Sequence, residues 1–190
     1  MDTQWPRYLV FQQRNVGEPH QFAGSVHAPD AEMALMNARD VFVRRPACVS
    51  LWIVPAKSVF AKTAEELDKN PTVLEVDEAR NKPEKMYCVF QKATHKGTYI
   101  YLGDMAALSP AQALKTAFDS LAQREATGWW VVPAAAITRT TPDDIEALFQ
   151  PASSKPFRDQ AFYHTVAAMR AASQSQHIST PSQDTNIDEP

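Results

Sequence analysis

Tyr8-Leu9-Val10-Phe11-Gln12 occurs a second time in the chain, as Tyr87-Cys88-Val89-Phe90-Gln91. Outward from that pair the agreement continues. Ala34-Leu35 and Ala38 return as Ala113-Leu114 and Ala117, and Trp52-Ile53-Val54-Pro55-Ala56 returns as Trp130-Val131-Val132-Pro133-Ala134. The offset is 79 for the first blocks (87 − 8, 113 − 34) and 78 for the last (130 − 52), so one residue is lost between them. Ordered matches at a near-constant offset mark an internal repeat, which has to be read before any single element.

Each copy has the plan ββαβ. The first strands are Tyr8–Gln12 and Tyr87–Gln91, and the second are Gln21–His27 and Tyr99–Met105. In copy one, Ala31, Ala34, Leu35, Ala38 and Phe42 recur at helical spacing, with Asp30 as N-cap and Pro46 as stop. In copy two, Ser109 caps, Pro110 takes the first helical position, and Ala113, Leu114, Ala117 and Leu121 rebuild the apolar face. Leu51–Val54 and Trp129–Val132 are short, wholly apolar runs suited to a strand covered on both faces. Gly24 and Gly103 sit at equivalent places in the second strands, where glycine signals a bulge or a close approach to a helix or to the other copy.

One copy is too small to bury a comfortable core, so the two are expected to share one. The expectation is an α+β fold of two tandem ββαβ repeats packed as an intramolecular pseudo-dimer. The repeats span 5–62 and 85–140, with a linker at 63–84, a C-terminal helix and arm at 141–172, and a disordered tail at 173–190. Within the linker, Thr63–Asp68 starts a short helix that Asn70-Pro71 breaks, and Val73–Val76 has weak strand character. Thr141-Pro142-Asp143-Asp144 opens the C-terminal helix.

A net charge of −3 without a basic run leaves no electrostatic footprint for nucleic acid. No stretch reaches the roughly 18 apolar residues of a membrane span, and no signal peptide is evident at the N-terminus. Cys48 and Cys88 read as reduced thiols, which with the preceding points predicts a cytoplasmic protein. The five histidines, His20, His27, His95, His164 and His177, have no acidic residue three positions before them. The Glu-x-x-His signature of di-iron bundles is therefore missing, as are His-Glu-x-x-His, C-x-x-C, Walker, G-x-G-x-x-G and G-x-S-x-G motifs. No catalytic residue, cofactor or metal site is expected. His27 as a base, and Trp52, Trp129 and Trp130 as a stacking platform, are weaker readings than a strand-end histidine and core tryptophans.

Trp5-Pro6-Arg7-Tyr8-Leu9-Val10-Phe11, Gly24–Ala28, the Asp30–Val41 run Asp-Ala-Glu-Met-Ala-Leu-Met-Asn-Ala-Arg-Asp-Val, Arg44-Arg45 and Ser50–Val54 resemble the phenylacetic acid degradation protein B family. The segment Phe149–Arg158 followed by Phe162-Tyr163 resembles that family's C-terminal arm. The resemblance covers nearly all of residues 5–163. It implies a small, non-catalytic subunit that bridges a ring-1,2-phenylacetyl-CoA epoxidase, in which other subunits carry the di-iron centre and supply electrons. The expected partners are thus the di-iron oxygenase subunits of such a complex. The chain departs from the family in carrying two units where usual members carry one.

Residues expected to meet the partner are the basic patch Arg39, Arg44 and Arg45 and the aromatic arm Phe157, Arg158, Phe162 and Tyr163, since aromatics with arginine make binding hot spots. The protein is expected as a fused pseudo-dimer, alone or in a larger oligomer. The competing class is a self-contained, cofactor-free α+β enzyme with an apolar cavity between the repeats, lined by Tyr8, Tyr99, Trp52 and Trp130. A small-ligand sensor is a third class, with nothing specific to support it.

Overall fold

The structure, a computed structural model, describes residues 4–43, 48–74, 83–120, 126–145, 148–149 and 169. The chain divides into two compact units, Met1–Ser154 and Lys155–Pro190, and the architecture below is that of the first. It is an α+β fold with one antiparallel sheet of eight strands.

The first copy supplies β1 (Arg7–Gln13), β2 (Gln21–His27), α1 (Ala31–Phe42) and β3 (Ser50–Pro55). A turn of 3-10 helix at Ala56–Ser58 leads to β4 (Phe60–Thr63) and a short α2 (Ala64–Lys69). The second copy supplies β5 (Lys85–Lys92), β6 (Ile100–Ala107), α3 (Pro110–Ser120) and β7 (Gly128–Pro133), then a 3-10 turn at Ala134–Ala136 and β8 (Thr138–Arg139). Pro71–Leu74 is 3-10 helix, so the first half of the weak strand expected at Val73–Val76 does not form, and 75–76 lie outside the described residues. Strands β4 and β8 go beyond the sequence expectation. They are two to four residues long and lack the alternation that identifies a strand in sequence.

The strands run in the order β4-β7-β5-β6-β2-β1-β3-β8. The two copies join in the middle, where Gln21 of β2 pairs with Ile100 of β6. There Phe22 N donates to Tyr99 O at 2.8 Å and Tyr101 N to His20 O at 2.9 Å. The segment after each copy then crosses to the other. β4 pairs with β7, and β8 pairs with β3. Beyond β4, Ala64, Leu67 and Leu74 pack on the cluster under α3. Beyond β8, Leu148 and Phe149 are buried in the cluster under α1.

This order cannot lie flat. β3 and β4 stand six strand intervals apart, about 29 Å at 4.8 Å per interval. Yet only residues 56–59 separate Pro55 from Phe60, a reach of about 17 Å. The same holds for β7 and β8. The sheet must therefore curl until its ends approach, and the side chains on its concave face show that it does. The rings of Phe11 on β1 and Phe90 on β5 are three intervals apart in the order, yet their centroids lie 4.2 Å apart.

Period-2 alternation then sorts the core into three parts. Tyr8, Val10, Leu51 and Ile53 face α1 through Ala34, Leu35 and Ala38. Tyr87, Val89, Trp129 and Val131 face α3 through Ala113, Leu114 and Ala117. Leu9, Phe11, Val54, Cys88, Phe90, Val132 and Ile137 point inward and meet residues of the other copy.

Helix α1 starts at Asp30, whose Oδ1 accepts from Met33 N at 2.8 Å. The same device opens the segments that cross over. Thr63 forms a capping box with Glu66, and Thr141 with Asp144, at the 78-residue offset. The bulge in each copy falls between Val10 and Phe11 and between Val89 and Phe90, opposite Gly24 and Gly103. Gly24 has φ +154°, and a Cβ placed there would meet the Phe42 ring at 2.6 Å. Glycine is thus required both by its backbone and by the aromatic ring that closes α1 onto the sheet. Gly24→Ala is expected to lower stability by about 1–3 kcal/mol. Chemical denaturation of the full chain measures it, and Gly17→Ala, with open space around it but φ +88°, gives the backbone cost alone for comparison.

Candidate functional site

The inner face of the curled sheet gathers a cluster of aromatic side chains from both copies, and they meet in matched pairs. His20 stacks on Trp52 with centroids 3.8 Å apart, and Tyr99 stacks on Trp130 at 3.6 Å. Phe22 meets Trp130 edge-on at 5.1 Å, and Tyr101 meets Trp52 edge-on at 5.0 Å. Phe11 approaches Trp130 at 6.2 Å, and Phe90 approaches Trp52 at 6.5 Å. His20 and Tyr99 are 79 residues apart, as are Phe22 and Tyr101. In the last two sets each tryptophan of one copy is edged by rings of the other. Edge-to-face contacts of this kind add about 0.5–1.5 kcal/mol each beyond burial.

The two halves differ in chemistry. In the first, His20 Nε2 lies 3.0 Å from Ser50 Oγ, which lies 3.3 Å from Thr140 Oγ1. In the second, the larger Tyr99 replaces His20 and Gly128 replaces Ser50. A Cβ at Gly128 would stand 3.0 Å from the Tyr99 hydroxyl, so the missing side chain makes room for the phenol. Burial, with the nearby Arg139 guanidinium adding to it, holds the His20 pKa down at about 4. The ring is therefore neutral at physiological pH and acts as a packed, hydrogen-bonded core group.

A second polar group lies on the same face. Cys88 Sγ donates to Asp104 Oδ1 at 2.9 Å, and Arg139 Nη2 donates to Cys88 Sγ at 3.6 Å while its guanidinium carbon lies 4.6 Å from the Trp52 ring. Arg139 belongs to the last strand of the order and Cys88 to the third, so this contact ties the far edge back across the curl. Burial, then the Asp104 carboxylate, pushes the Cys88 thiol up to about 12. Burial and Asp104 also raise the Tyr101 phenol, and burial raises the Cys48 thiol. Raised thiols are poor nucleophiles. The leucine at the position equivalent to Cys88, Leu9, shows that the fold itself does not need a polar group there. On the helix side of the second copy, Trp129 is buried where the first copy has Leu51, and its Nε1 has no partner among the described residues.

Of the residues singled out in the sequence, His27 is exposed at the end of β2, and Trp129 is core. Trp52 and Trp130 do reach one space with Tyr99, but Tyr8 points to the opposite face, under α1. Arg39 donates from Nε to Leu148 O at 3.1 Å and pairs from Nη1 with Asp40 at 2.9 Å. It thereby fastens the C-terminal segment to α1. Arg44, Arg45, Phe157, Arg158, Phe162 and Tyr163 lie outside the described residues. Phe149, at the start of the expected arm, is buried against the first copy. Sequence reading misses the His20–Ser50–Thr140 and Cys88–Asp104–Arg139 groups. The usable signal is alternation along β5, which places Cys88 on the same face as Phe90.

Among the described residues, no three His, Cys, Asp or Glu side chains gather as a metal site, and no helix is long and apolar enough to cross a membrane. The family model for phenylacetic acid degradation B matches residues 4–82 and again 84–170, once on each copy. The chain belongs to this family. It is also 45% identical over 62 residues to a protein of Escherichia coli (strain K12) that is one of the subunits of 1,2-phenylacetyl-CoA epoxidase. That match covers 33% of this chain and 65% of the relative, so the chain spans just under two thirds of the relative's length. No solved structure matches. Each copy by itself thus carries the family pattern, and the second match falls on the copy with the less familiar helix lettering.

Two measurements check the chemistry of the inner face. Neither Cys48 nor Cys88 is expected to react with a thiol reagent in the native protein at mildly alkaline pH, and both should react once it is unfolded. His20 is neutral when folded but has an ordinary pKa of 6.5 when unfolded. Its contribution is therefore full above that value and is lost as pH falls toward about 4, where the unfolded chain takes up a proton that the folded one refuses. The loss should reach a few kcal/mol, at about 1.4 kcal/mol per pH unit. Urea unfolding at about pH 7 and about pH 5 should show it, and the difference should shrink in His20→Asn, which keeps a partner for Ser50.

Proposed function

We propose that this protein is a non-catalytic, bridging subunit of a multicomponent di-iron oxygenase of the phenylacetyl-CoA epoxidase type, acting in the degradation of aromatic CoA thioesters. Its two ββαβ repeats act as an intramolecular pseudo-dimer, one chain doing the work of two family units. The family match on each of two successive segments is the observation that carries this reading, and the name of the Escherichia coli relative supplies the kind of complex. The reciprocal crossing of β4 and β8 supports the pseudo-dimer, because each repeat completes the sheet of the other.

Fusion has a physical consequence for such a subunit. Two identical units must present the same surface twice. Joined in one chain, they are free to differ, as the His20–Ser50 and Tyr99–Gly128 positions already do. A self-contained enzyme would need open space between the repeats, and there the Phe11 and Phe90 rings are in contact.

Co-expression with the di-iron and companion subunits of such an oxygenase tests the proposal. The expected outcome is a complex of fixed stoichiometry in size-exclusion chromatography, with oxygenase activity depending on the chain. The chain by itself should hold no iron after chelation. Stoichiometric iron retained by the isolated chain would sink the non-catalytic role, and absence of any complex would sink the bridging role.

A further inference from the structure

We propose that the contact between the two copies is a selective interface, in which residues 1–74 and residues 83–190 recognise each other as unlike partners; this rests on the pseudo-dimer reading above. Each half offers one crossing segment and one slot. The segment of the first half, β4 with α2, lies on β7 and on the cluster under α3. The segment of the second half, β8 with Leu148 and Phe149, lies on β3 and on the cluster under α1. Neither crossing runs through residues 75–82, so everything else that joins the halves is non-covalent.

The two slots are related by the repeat, yet they are lettered for different segments. In the first copy, Thr140 Oγ1 lies 3.3 Å from Ser50 Oγ and accepts from Leu51 N at 3.1 Å. Arg39 Nε donates to Leu148 O there, at 3.1 Å. In the second copy, Gly128 stands in place of Ser50, Lys62 in place of Thr140 and Phe118 in place of Arg39. The Tyr99 hydroxyl is 3.0 Å from where a Cβ at position 128 would be, and Phe118 joins the apolar cluster that takes Leu67 and Leu74 of the crossing segment. One slot thus holds its segment by hydrogen bonds, and the other holds its segment by apolar packing beside a glycine.

Like pairs would mismatch these sets. Two first halves together would put Lys62 where Thr140 meets Ser50, and Ala61 where Arg139 lies over Trp52. They would also put Pro19, which has no donor, where Thr98 Oγ1 donates to Phe22 O at 2.8 Å. Two second halves would put Thr140 beside Gly128, which offers no hydroxyl, and Phe118 beside the Leu148 carbonyl that Arg39 satisfies. They would also place Cys88 twice in the inner cluster, where the unlike pair holds one Cys88 and one Leu9. Polar groups left without partners on burial oppose both like pairs. Selectivity is this difference between the pairings. A bridge built on it always carries one face of each copy.

The test cuts the full-length chain at a protease site placed within residues 75–82. The cut chain should remain one particle in size-exclusion chromatography, its halves separating only in urea. After removal of urea, native mass spectrometry should show the unlike pair in about tenfold excess over the like pairs, equivalent to about 1.4 kcal/mol. Ser50→Gly, Arg39→Phe and Thr140→Lys together give both slots the second-copy lettering, and should move the mixture toward statistical proportions. A general loss of stability would not move that ratio. Halves that part on cutting, without urea, overturn the pseudo-dimer reading and the proposal with it. Halves that hold together when cut, yet refold into the statistical mixture, overturn the selectivity and leave the pseudo-dimer intact. Unchanged proportions in the triple variant overturn the assignment of selectivity to the slots.

Discussion

The Phe11 and Phe90 rings touch at the centre of the curled sheet, one from each copy, and both are fully buried. Their strands are not neighbours. The contact exists because four-residue connections carry the chain from β3 to β4 and from β7 to β8, between opposite ends of the strand order. Those connections are too short for a flat sheet, so they impose the curvature, and the curvature brings the inner aromatics into one cluster. Each copy alone would have an exposed concave face and an unpaired edge strand. Pairing β4 with β7 and β8 with β3 covers those edges, which are otherwise sites for unwanted association. The outer clusters under α1 and α3 then complete a layered core of the usual kind.

Within that frame, the two halves have diverged where the frame allows it. Residues in the middle of the inner cluster keep their type, as Phe11 and Phe90, Trp52 and Trp130, or Val54 and Val132 do. Other residues of the inner face have changed in compensating sets. His20 with Ser50 is matched by Tyr99 with Gly128, so ring size on one residue is balanced by side-chain loss on its neighbour. Leu9, Ser25 and Phe22 are matched by Cys88, Asp104 and Tyr101, which place a carboxylate, a thiol and a phenol together under Arg139. A homodimer would have to accept each change twice. A fused chain accepts it once.

The C-terminal segment connects the fold to the proposed role. Sequence spacing puts Arg39 in a patch reaching outward, but its Nε is used on the Leu148 carbonyl, beside the buried Phe149. A guanidinium next to an unsatisfied helix carbonyl or a chain end readily turns inward, and sequence spacing does not show which carbonyl will be near.

The sequence by itself determined the duplication, the ββαβ order, the helix caps at Asp30 and Ser109, the helix starts at Thr63 and Thr141, the glycine at the bulge, and the family. These are local, carried by periodicity, by a cap three residues from the backbone N–H that donates to it, or by lettering repeated at a fixed offset. Only the tertiary structure decided that β4 and β8 exist, because two to four residues become a strand when an edge is offered to them, not through their own preference. Only it decided which side of the tryptophans meets His20 and Tyr99, why Tyr8 faces away from them, and where Arg39 and Cys88 find partners. Those contacts join residues from 30 to 109 positions apart, and their geometry is set by the curl of the whole sheet.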